Sequence, residues 1–244
     1  MRVLEDDRCG ERSAPPTPLA TAVPGLSLWL CPLHADPANL ERMDAVLSAA
    51  EHDRAARFGT PALRARYVVG RATLRSLLAA AVGTIPAAVP LRRGPRGRPE
   101  LDLPGHSLDF NVSHTLDVAL VGFFCAAQPS ARIGVDIEHL DRELGADRLA
   151  RRYLTARERA EFERLDADAR RRRFIHLWTC KEAMSKATGA GLLAPMGELD
   201  VELAEGPRLA HGPAPYSPPD WQLVAVPVAG GYVATAAIWT PSAA

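Results

Sequence analysis

Apolar residues recur along the chain at two spacings, one typical of helices and the other typical of strands. Between Pro61 and Val82 the apolar side chains fall near one helical face, and Gly83 favours a helix end there. Two shorter helices are predicted at 39–47 and 51–58. Short apolar runs bounded by polar turns predict four strands, at 26–33, 110–112, 118–124 and 132–138.

The later part of the chain repeats this order of elements. Thr155 and Glu158 have the spacing of a capping box, which predicts a helix from there to about residue 165. A longer helix is predicted at 171–187, with Gly189 after it. Helices followed by strands in each half indicate an α+β fold made of two similar subdomains. Three closing strands are predicted, at 199–203, 221–228 and 232–239.

Segments rich in proline and glycine mark the boundaries. Residues 1–25 lack a regular apolar pattern and are expected to be a disordered extension. The segment 92–99 is expected to be a basic turn without regular structure. A break at Pro129 separates two predicted strands, so we place an N-terminal subdomain at 26–128 and a C-terminal subdomain at 129–244.

Charge and apolar content exclude several classes of protein. The 244 residues contain 29 basic and 29 acidic side chains, so we expect no general nucleic-acid binding. The longest apolar stretch, at 118–127, is well short of the roughly 20 residues that cross a bilayer, so we expect no membrane span. Glu5, Asp6 and Asp7 occupy the place where a signal peptide would be apolar. We therefore expect a cytoplasmic protein.

Cysteine and lysine usage adds two observations. The four cysteines, Cys9, Cys31, Cys125 and Cys180, show no metal-binding spacing and are expected to be free thiols. Only two of the 29 basic residues are lysines, Lys181 and Lys186, and they lie close together. In a chain this rich in arginine, the lysines point to a place that requires a compact ammonium group.

Two carboxylates lie in the predicted strand GVDIE (134–138). Asp136 and Glu138 are two residues apart, so a strand directs both to the same face. Adjacent carboxylates repel each other unless a cation lies between them, and oxygen ligands of this kind suit Mg²⁺. A solvated strand face would show the same pattern.

Two further segments carry polar groups that suit chemistry. Glu182 and Lys186 are four residues apart on the last long helix, as in many surface ion pairs, but a glycine-rich exit at 188–191 follows. Ser113 and His114 end the strand in FNVSH (110–114) and offer a hydroxyl and an imidazole to an anion. A simple turn would also account for them, and no serine-hydrolase motif is present.

Taken in order, FNVSH, GVDIE and WTCKEAMSKATGAGL (178–192) resemble the motifs of the large, pseudodimeric Sfp-type 4′-phosphopantetheinyl transferases, in the subgroup with a W-x-x-KEA motif. The resemblance extends from about residue 51 to about residue 239. It implies two similar α+β halves, related by a pseudo-twofold axis, with the active site in the cleft between them.

The resemblance also implies a reaction and roles for single residues. Such enzymes transfer the phosphopantetheine arm of coenzyme A to a serine of an apo carrier protein and release 3′,5′-ADP. Asp136, Glu138 and Glu182 are then expected to bind Mg²⁺, or Mn²⁺ in its place. Ser113 and His114 are expected to contact the nucleotide phosphates, with His114 also among the catalytic residues. Glu182 would be the base, and Lys186 would face the reacting phosphate.

Three arginines align with nucleotide contacts of the family: Arg54, Arg66 and Arg98, the last in a G-R-P segment that is similar to the family's G-K-P element. Each of them is equally consistent with a solvated surface arginine. Glu51 departs from the family pattern, in which some relatives carry a basic residue at this position, and this leaves part of the 3′-phosphate pocket undefined.

The expected partner is an acyl or peptidyl carrier protein, and the expected enzyme is a monomer. The basic run Arg170–Arg173 is a candidate docking patch, with Phe162 and Leu165 as neighbouring apolar contacts. Two alternatives stay open. One is another metal-dependent phosphate enzyme such as a nucleotide hydrolase, although the chain has no phosphate-binding G-x-x-x-x-G-K-[ST] loop. The other is a non-catalytic module that binds carrier proteins.

Overall fold

The computed structural model describes residues 14–94, 96–126, 128 and 130–242. Within them, helices and strands mix along the chain, which confirms the α+β class. The helices are α1 (Pro37–Asp44), α2 (Ala49–Ala55), α3 (Pro61–Val82), α4 (Ala146–Tyr153), α5 (Ala156–Phe162) and α6 (Ala167–Thr188). The strands are β1 (Thr17–Leu19), β2 (Leu26–Pro32), β3 (Leu91–Arg93), β4 (Pro99–Leu101), β5 (Leu108–Thr115), β6 (Val118–Cys125), β7 (Arg132–His139), β8 (Asp200–Glu202), β9 (Arg208–His211), β10 (Trp221–Val226) and β11 (Tyr232–Trp239).

The two long helices begin and end at residues with identifiable capping chemistry. The Thr60 side chain accepts a hydrogen bond from Leu63 N at the start of α3, and Gly83 ends that helix with φ of 73°. Asp166 caps α6 in the same way, and Gly189 ends it with φ of 68°. The bounds predicted for α3 are confirmed. Helix α6 begins four residues earlier than the predicted 171 because Asp166 supplies the cap.

The strands form two larger sheets and two hairpins. One sheet has the order β1-β2-β6-β5, and the other has the order β10-β11-β7. Strand β7 is antiparallel to β11, with Asp136 opposite Thr235, and forms the edge of its sheet. The free edge of β7 therefore needs partners other than a strand of the same sheet.

Several sequence expectations need correction. Arg92 and Pro99, expected in a turn without regular structure, lie in the hairpin of β3 and β4. Strand β5 runs through Ser113 and His114 to Thr115, where the sequence predicts a polar turn. Helix α4 and strand β9 are not predicted at all. Strand β1 lies in the expected extension 1–25, of which residues 1–13 are outside the described part.

The chain divides into two compact units. Of the described residues, the smaller contains 14–17, 30–89 and 117–119, and the larger contains those within 18–29, 90–116 and 120–242. Leu47, Ala55, Val68 and Ala72 form a buried cluster in the smaller unit. In the larger unit, α6 packs on the β10-β11-β7 sheet, and its core includes Leu177, Ala183 and Met184.

Two further observations concern membrane-spanning helices and the cysteines. Among the helices that the structure describes, none is long and apolar enough to cross a membrane. Cys31, Cys125 and Cys180 are free thiols, as expected, and Cys9 lies outside the described residues. Burial raises the pKa of both Cys31 and Cys180 to about 12, so these two thiols are chemically inert at neutral pH.

Candidate active site

The site is built on one face of β5. Alternate side chains of a strand point to the same face, and on β5 this face carries polar groups directed at β7. Asp109 Oδ2 accepts a hydrogen bond from Ile133 N at 2.7 Å, and Asn111 Oδ1 accepts one from Val135 N at 3.1 Å. Side chains of β5 thus satisfy backbone donors on the open edge of β7.

The same face of β5 also contacts the two acidic residues of β7. Ser113 Oγ donates to Asp136 Oδ1 at 2.7 Å, and Thr115 Oγ1 donates to Glu138 Oε2 at 3.2 Å. Asp136 and Glu138 are both buried, with residue exposures of 4% and 8%. Both face β5, in agreement with the same-face arrangement that their spacing predicts.

Helix α6 brings a cation to this pair. Lys186 Nζ donates to Asp136 Oδ1 at 2.6 Å, to Ser113 Oγ at 2.8 Å and to the Val135 carbonyl at 3.2 Å. The ammonium, the hydroxyl and the carboxylate therefore form a closed triangle of hydrogen bonds. The lysine joins two motifs of the sequence that are about fifty residues apart.

Close packing of α6 on β7 depends on Gly134. A Cβ atom at this position would lie 2.6 Å from the backbone nitrogen of Ala187 and 3.0 Å from the carbonyl carbon of Ala183. Both are backbone atoms of α6, which cannot move as a flexible side chain would. Glycine therefore lets the helix approach the strand closely enough for Lys186 to reach Asp136.

Glu182 lies one helical turn before Lys186 and adds a third carboxylate. Among the described residues, no donor lies within hydrogen-bond distance of its carboxylate. Burial, and then the negative charge of Asp136, raise the pKa of Glu182. The same two causes raise the pKa of Glu138. The acidic residues at this site thus carry more negative charge than their own environment neutralises.

Two observations test whether these carboxylates suit a divalent cation. Asp136 Oδ2 is buried and has no hydrogen-bond partner among the described residues. The donor set consists of carboxylate oxygens, which hard cations such as Mg²⁺ prefer. However, among the described side chains no group of three or more acidic, histidine or cysteine residues is already arranged around one point. Instead, Lys186 pairs with one oxygen of Asp136, and Arg142 pairs with one oxygen of Glu138.

Arg142 and Thr115 are site residues that sequence reasoning missed. Arg142 forms an ion pair with Glu138 Oε1 from the loop after β7, and its side chain is 49% exposed. The i,i+4 spacing of Glu138 and Arg142 is visible in the sequence, but outside a helix this spacing does not predict a contact. Thr115 is missed because β5 was expected to end before it.

His114 follows Ser113 on β5 and is exposed. Desolvation of its ring, and then the positive charge of Lys186, lower the pKa of His114. The lowered pKa favours the neutral imidazole, which offers one donor and one acceptor nitrogen to a ligand.

The other candidate cations differ in their burial and in their contacts. Lys181 is fully buried and its Nζ lies 2.6 Å from Glu158 Oε2, so of the two lysines only Lys186 faces the acidic site. Arg98 is largely buried, and each nitrogen of its guanidinium donates to protein acceptors. Its expected contact with a nucleotide has no support in this geometry. Arg54 and Arg66 lie in the smaller unit and are exposed.

Glu51 has a structural role within the smaller unit. Its carboxylate completes the capping box of α2 with Ser48, accepts from Arg75 Nε at 2.7 Å and forms an ion pair with Arg71 Nε at 3.1 Å. Glu51 and Arg75 are both buried. The departure from the family pattern at this position is thus explained by an internal ion-pair cluster.

Two models of a known protein family match this chain. A family model described as the 4′-phosphopantetheinyl transferase superfamily matches residues 132–237, and a model of the N-terminal part of 4′-phosphopantetheinyl transferases matches residues 34–124. These two ranges lie on either side of Pro129.

Individual relatives extend over most of the chain. The sequence is 36% identical over 211 residues to the 4′-phosphopantetheinyl transferase HetI of Nostoc sp., which covers 83% of this chain and 87% of that protein. It is 29% identical over 166 residues to a 4′-phosphopantetheinyl transferase of Bacillus subtilis, covering 68% and 70% of the two chains. The transferase Sfp of Bacillus subtilis is 27% identical over 164 residues, with coverages of 67% and 69%.

Proposed function

The chain belongs to the 4′-phosphopantetheinyl transferase superfamily, and we propose that the cluster of Asp136, Glu138, Glu182 and Lys186 carries out its reaction. The chain is an enzyme that transfers the 4′-phosphopantetheine arm of coenzyme A to a serine of a carrier protein. The observation that supports this placement best is the buried, unpartnered Oδ2 of Asp136 beside the Lys186 ammonium.

Asp136, Glu138 and Glu182 are proposed to hold a divalent cation, Mg²⁺ or Mn²⁺. Their unbalanced negative charge and the free oxygen of Asp136 support this assignment. When bound, the cation would reduce the negative charge on the pyrophosphate oxygens of coenzyme A. The oxygens of Asp136 and Glu138 that now accept from Lys186 and Arg142 can become ligands only when those contacts open.

Glu182 is proposed as the base that takes the proton of the carrier serine. A serine hydroxyl is a weak nucleophile at neutral pH, so its proton must be removed as it attacks the β-phosphorus. The raised pKa of Glu182 makes its carboxylate a stronger base than an ordinary glutamate. Its position on α6, one turn before Lys186, fixes the base and the ammonium on one rigid element.

Lys186 and His114 are proposed to contact the phosphates. The ammonium would stabilise the negative charge that develops on the departing 3′,5′-ADP phosphate. Ser113, which bonds both Lys186 and Asp136, orients them and lies beside the same phosphates. The neutral imidazole of His114 would donate one hydrogen bond. Arg54 and Arg66 remain the proposed contacts of the adenosine 3′-phosphate, since arginine forks suit phosphate.

The carrier protein is proposed to dock near the Arg170–Arg173 run. A groove of about 600 Å³ beside it is lined by the apolar Leu165 and Leu203 and by Arg172 and Arg173. This combination suits an acidic helix that also presents apolar side chains. Within the run, Arg170 and Arg171 form ion pairs with Asp147 and Asp168 at 3.4 and 3.3 Å. Arg173 pairs with Glu161, which also lines the groove, so Arg172 is the arginine of the run without an ion pair among the described residues. We further propose that the enzyme acts as a monomer in the cytoplasm.

Intact-mass spectrometry of an apo carrier protein tests the reaction. The carrier is incubated with the enzyme, coenzyme A and Mg²⁺, in parallel with EDTA and with a carrier whose acceptor serine is replaced by alanine. We expect a gain of one phosphopantetheine arm only with Mg²⁺ and the intact serine. Release of 3′,5′-ADP without a mass gain would instead indicate a hydrolase, and the absence of both coenzyme A binding and transfer would refute the proposal.

A further inference from the structure

Among the described residues near the active site, Arg98 is the cation with the most hydrogen bonds, and all of its acceptors belong to the protein. Its guanidinium bonds both oxygens of Asp109, at 3.0 Å through Nη1 and 2.7 Å through Nη2. Nη2 also donates to the carbonyls of Phe110 at 3.1 Å and Ile133 at 2.8 Å. Nε donates to the Lys186 carbonyl at 3.1 Å. With the side chain only 10% exposed, little of it is available to a ligand.

These acceptors lie on the three elements that carry the active site. Phe110 precedes Ser113 by three residues on β5, and Ile133 precedes Asp136 by three residues on β7. The third acceptor is the backbone carbonyl of Lys186 itself, in the last turn of α6. A single guanidinium therefore connects the backbone of β5, β7 and α6 close to their functional side chains.

Arg98 also contacts the C-terminal end of helix α6. Carbonyl groups in the last turn of a helix lack a full set of intrahelical partners and carry partial negative charge. The Lys186 carbonyl accepts from Gly189 N at 3.3 Å within the helix cap, and Arg98 Nε adds a second donor from outside the helix. The planar fork matches the Asp109 carboxylate at the same time. A lysine has no planar fork and cannot reproduce this arrangement.

We infer that Arg98 is a positioning residue, which fixes β5, β7 and the end of α6 through protein acceptors so that Ser113, Asp136 and Lys186 keep their mutual contacts. It does not bind the nucleotide, in contrast to the contact expected from its G-R-P segment. This inference rests on the proposed transfer reaction at Lys186.

Steady-state kinetics and calorimetry on four variants test the inference. The variants are Arg98→Met, Arg98→Lys, Asp109→Asn and, as the control, Arg93→Met, which changes an exposed arginine of the same hairpin. Transfer is measured well below each unfolding midpoint, and the Kd of coenzyme A is measured without carrier protein. Coenzyme A and its 3′-dephospho form are compared as substrates.

A positioning role predicts a fall in kcat with unchanged coenzyme A binding. Because small displacements of reacting groups are costly, Arg98→Met should lower kcat by about 10²-fold, with the Kd of coenzyme A within about twofold of wild type. Arg98→Lys should recover part of the rate. Asp109→Asn should also lower kcat, because it weakens the carboxylate that Arg98 bonds. Since a carboxylate does not bind phosphate, this loss would not come from a lost nucleotide contact. The preference for coenzyme A over its dephospho form should be unchanged, and Arg93→Met should resemble wild type.

Other results would overturn the inference. A tenfold or larger rise in the Kd of coenzyme A in Arg98→Met, or loss of the preference for the 3′-phosphate, would make Arg98 a nucleotide ligand. Wild-type kcat in folded Arg98→Met would reduce its role to stability. If Arg98→Met does not fold, Arg98→Lys and Asp109→Asn carry the same test. An inactive wild type would refute the proposed function, while calorimetry would still decide whether Arg98 binds the nucleotide.

Discussion

The ammonium nitrogen of Lys186 lies 2.6 Å from Oδ1 of Asp136, while Oδ2 of the same carboxylate is buried and has no partner in the part of the chain that the structure describes. One aspartate thus presents one oxygen to a cation of the chain and keeps the other free. In the proposed reaction on the pyrophosphate of coenzyme A, this arrangement would place a fixed positive charge beside the proposed site of an exchangeable cation.

Replacement of Lys186 by arginine tests the requirement for a compact ammonium. The Lys186 nitrogen donates to three acceptors from one point, whereas a guanidinium spreads its donors over a planar fork. Lys186→Arg keeps the charge but misplaces the donors, so it should lower kcat by about 10²-fold, as small displacements of positioned groups do in other active sites. Arg148→Lys, at an exposed position, serves as the control. Normal turnover in Lys186→Arg would show that any cation suffices.

Glu182 determines the response of the enzyme to pH. Burial and the Asp136 charge raise the pKa of Glu182 in the metal-free site, so without a bound cation its carboxyl should take up a proton at a higher pH than an ordinary glutamate. Because the base must be unprotonated, kcat should fall with decreasing pH. Glu182→Gln should lower kcat by about 10²–10⁴-fold and leave the Kd of coenzyme A nearly unchanged. The exposed Glu205→Gln is the matched control. An undiminished rate in Glu182→Gln would assign the base to another group.

Replacement of Gly134 tests the close packing of helix α6 on strand β7. In Gly134→Ala the new methyl group meets the backbone of α6, so either the helix shifts or the fold weakens. We expect a loss of about 1–3 kcal/mol in the free energy of unfolding by urea, together with a strong loss of transfer. Gly59→Ala is the control, because a Cβ at position 59 meets nothing within 4 Å. Wild-type stability and rate in Gly134→Ala would contradict the packing argument.

The Glu51 cluster predicts a stability effect that depends on pH. Burial alone would raise the pKa of Glu51, but hydrogen bonds from Arg75 and Ser48 and the charge of Arg71 outweigh it and lower the pKa. A carboxyl with a lowered pKa stabilises the fold above its unfolded pKa, and this contribution disappears as the pH falls through the folded value.

Glu51→Gln should therefore cost about 3 kcal/mol at pH 7, and the cost should shrink in acid below the ordinary glutamate pKa. Urea unfolding at several pH values measures this, with the exposed Glu41→Gln as the control. A cost that does not change with pH would mean that charge at Glu51 is not the stabilising factor.

Local chemistry made part of this protein predictable. Helix α3 has the predicted bounds because Thr60, Pro61 and Gly83 act within a few residues of its ends. The capping box of Thr155 and Glu158 is confirmed for the same reason. Asp136 and Glu138 share a face because strand geometry alone dictates it.

The unpredicted features depend on residues far apart in the chain. Arg98 and the Lys186 carbonyl are separated by 88 positions, so no local pattern reveals that the arginine is occupied by the protein. In the sequence, the polar residues at the end of β5 suggest a turn, because polar side chains usually face solvent. In the structure, the polar face from Asp109 to Thr115 instead contacts the backbone edge of β7 and its acidic pair. Short strands such as β3 and β9 lack the length that makes an apolar period recognisable.

The central claim is that transfer takes place at the carboxylates of β7, and Asp136→Asn tests it most directly. Wild type and variant are incubated side by side with an apo carrier protein, coenzyme A and Mg²⁺, and the intact mass of the carrier is followed over time. We predict that wild type adds one phosphopantetheine arm, and that Asp136→Asn remains folded in a thermal scan but is slower by at least about 10²-fold. Equal rates of mass gain for the two proteins would contradict the account.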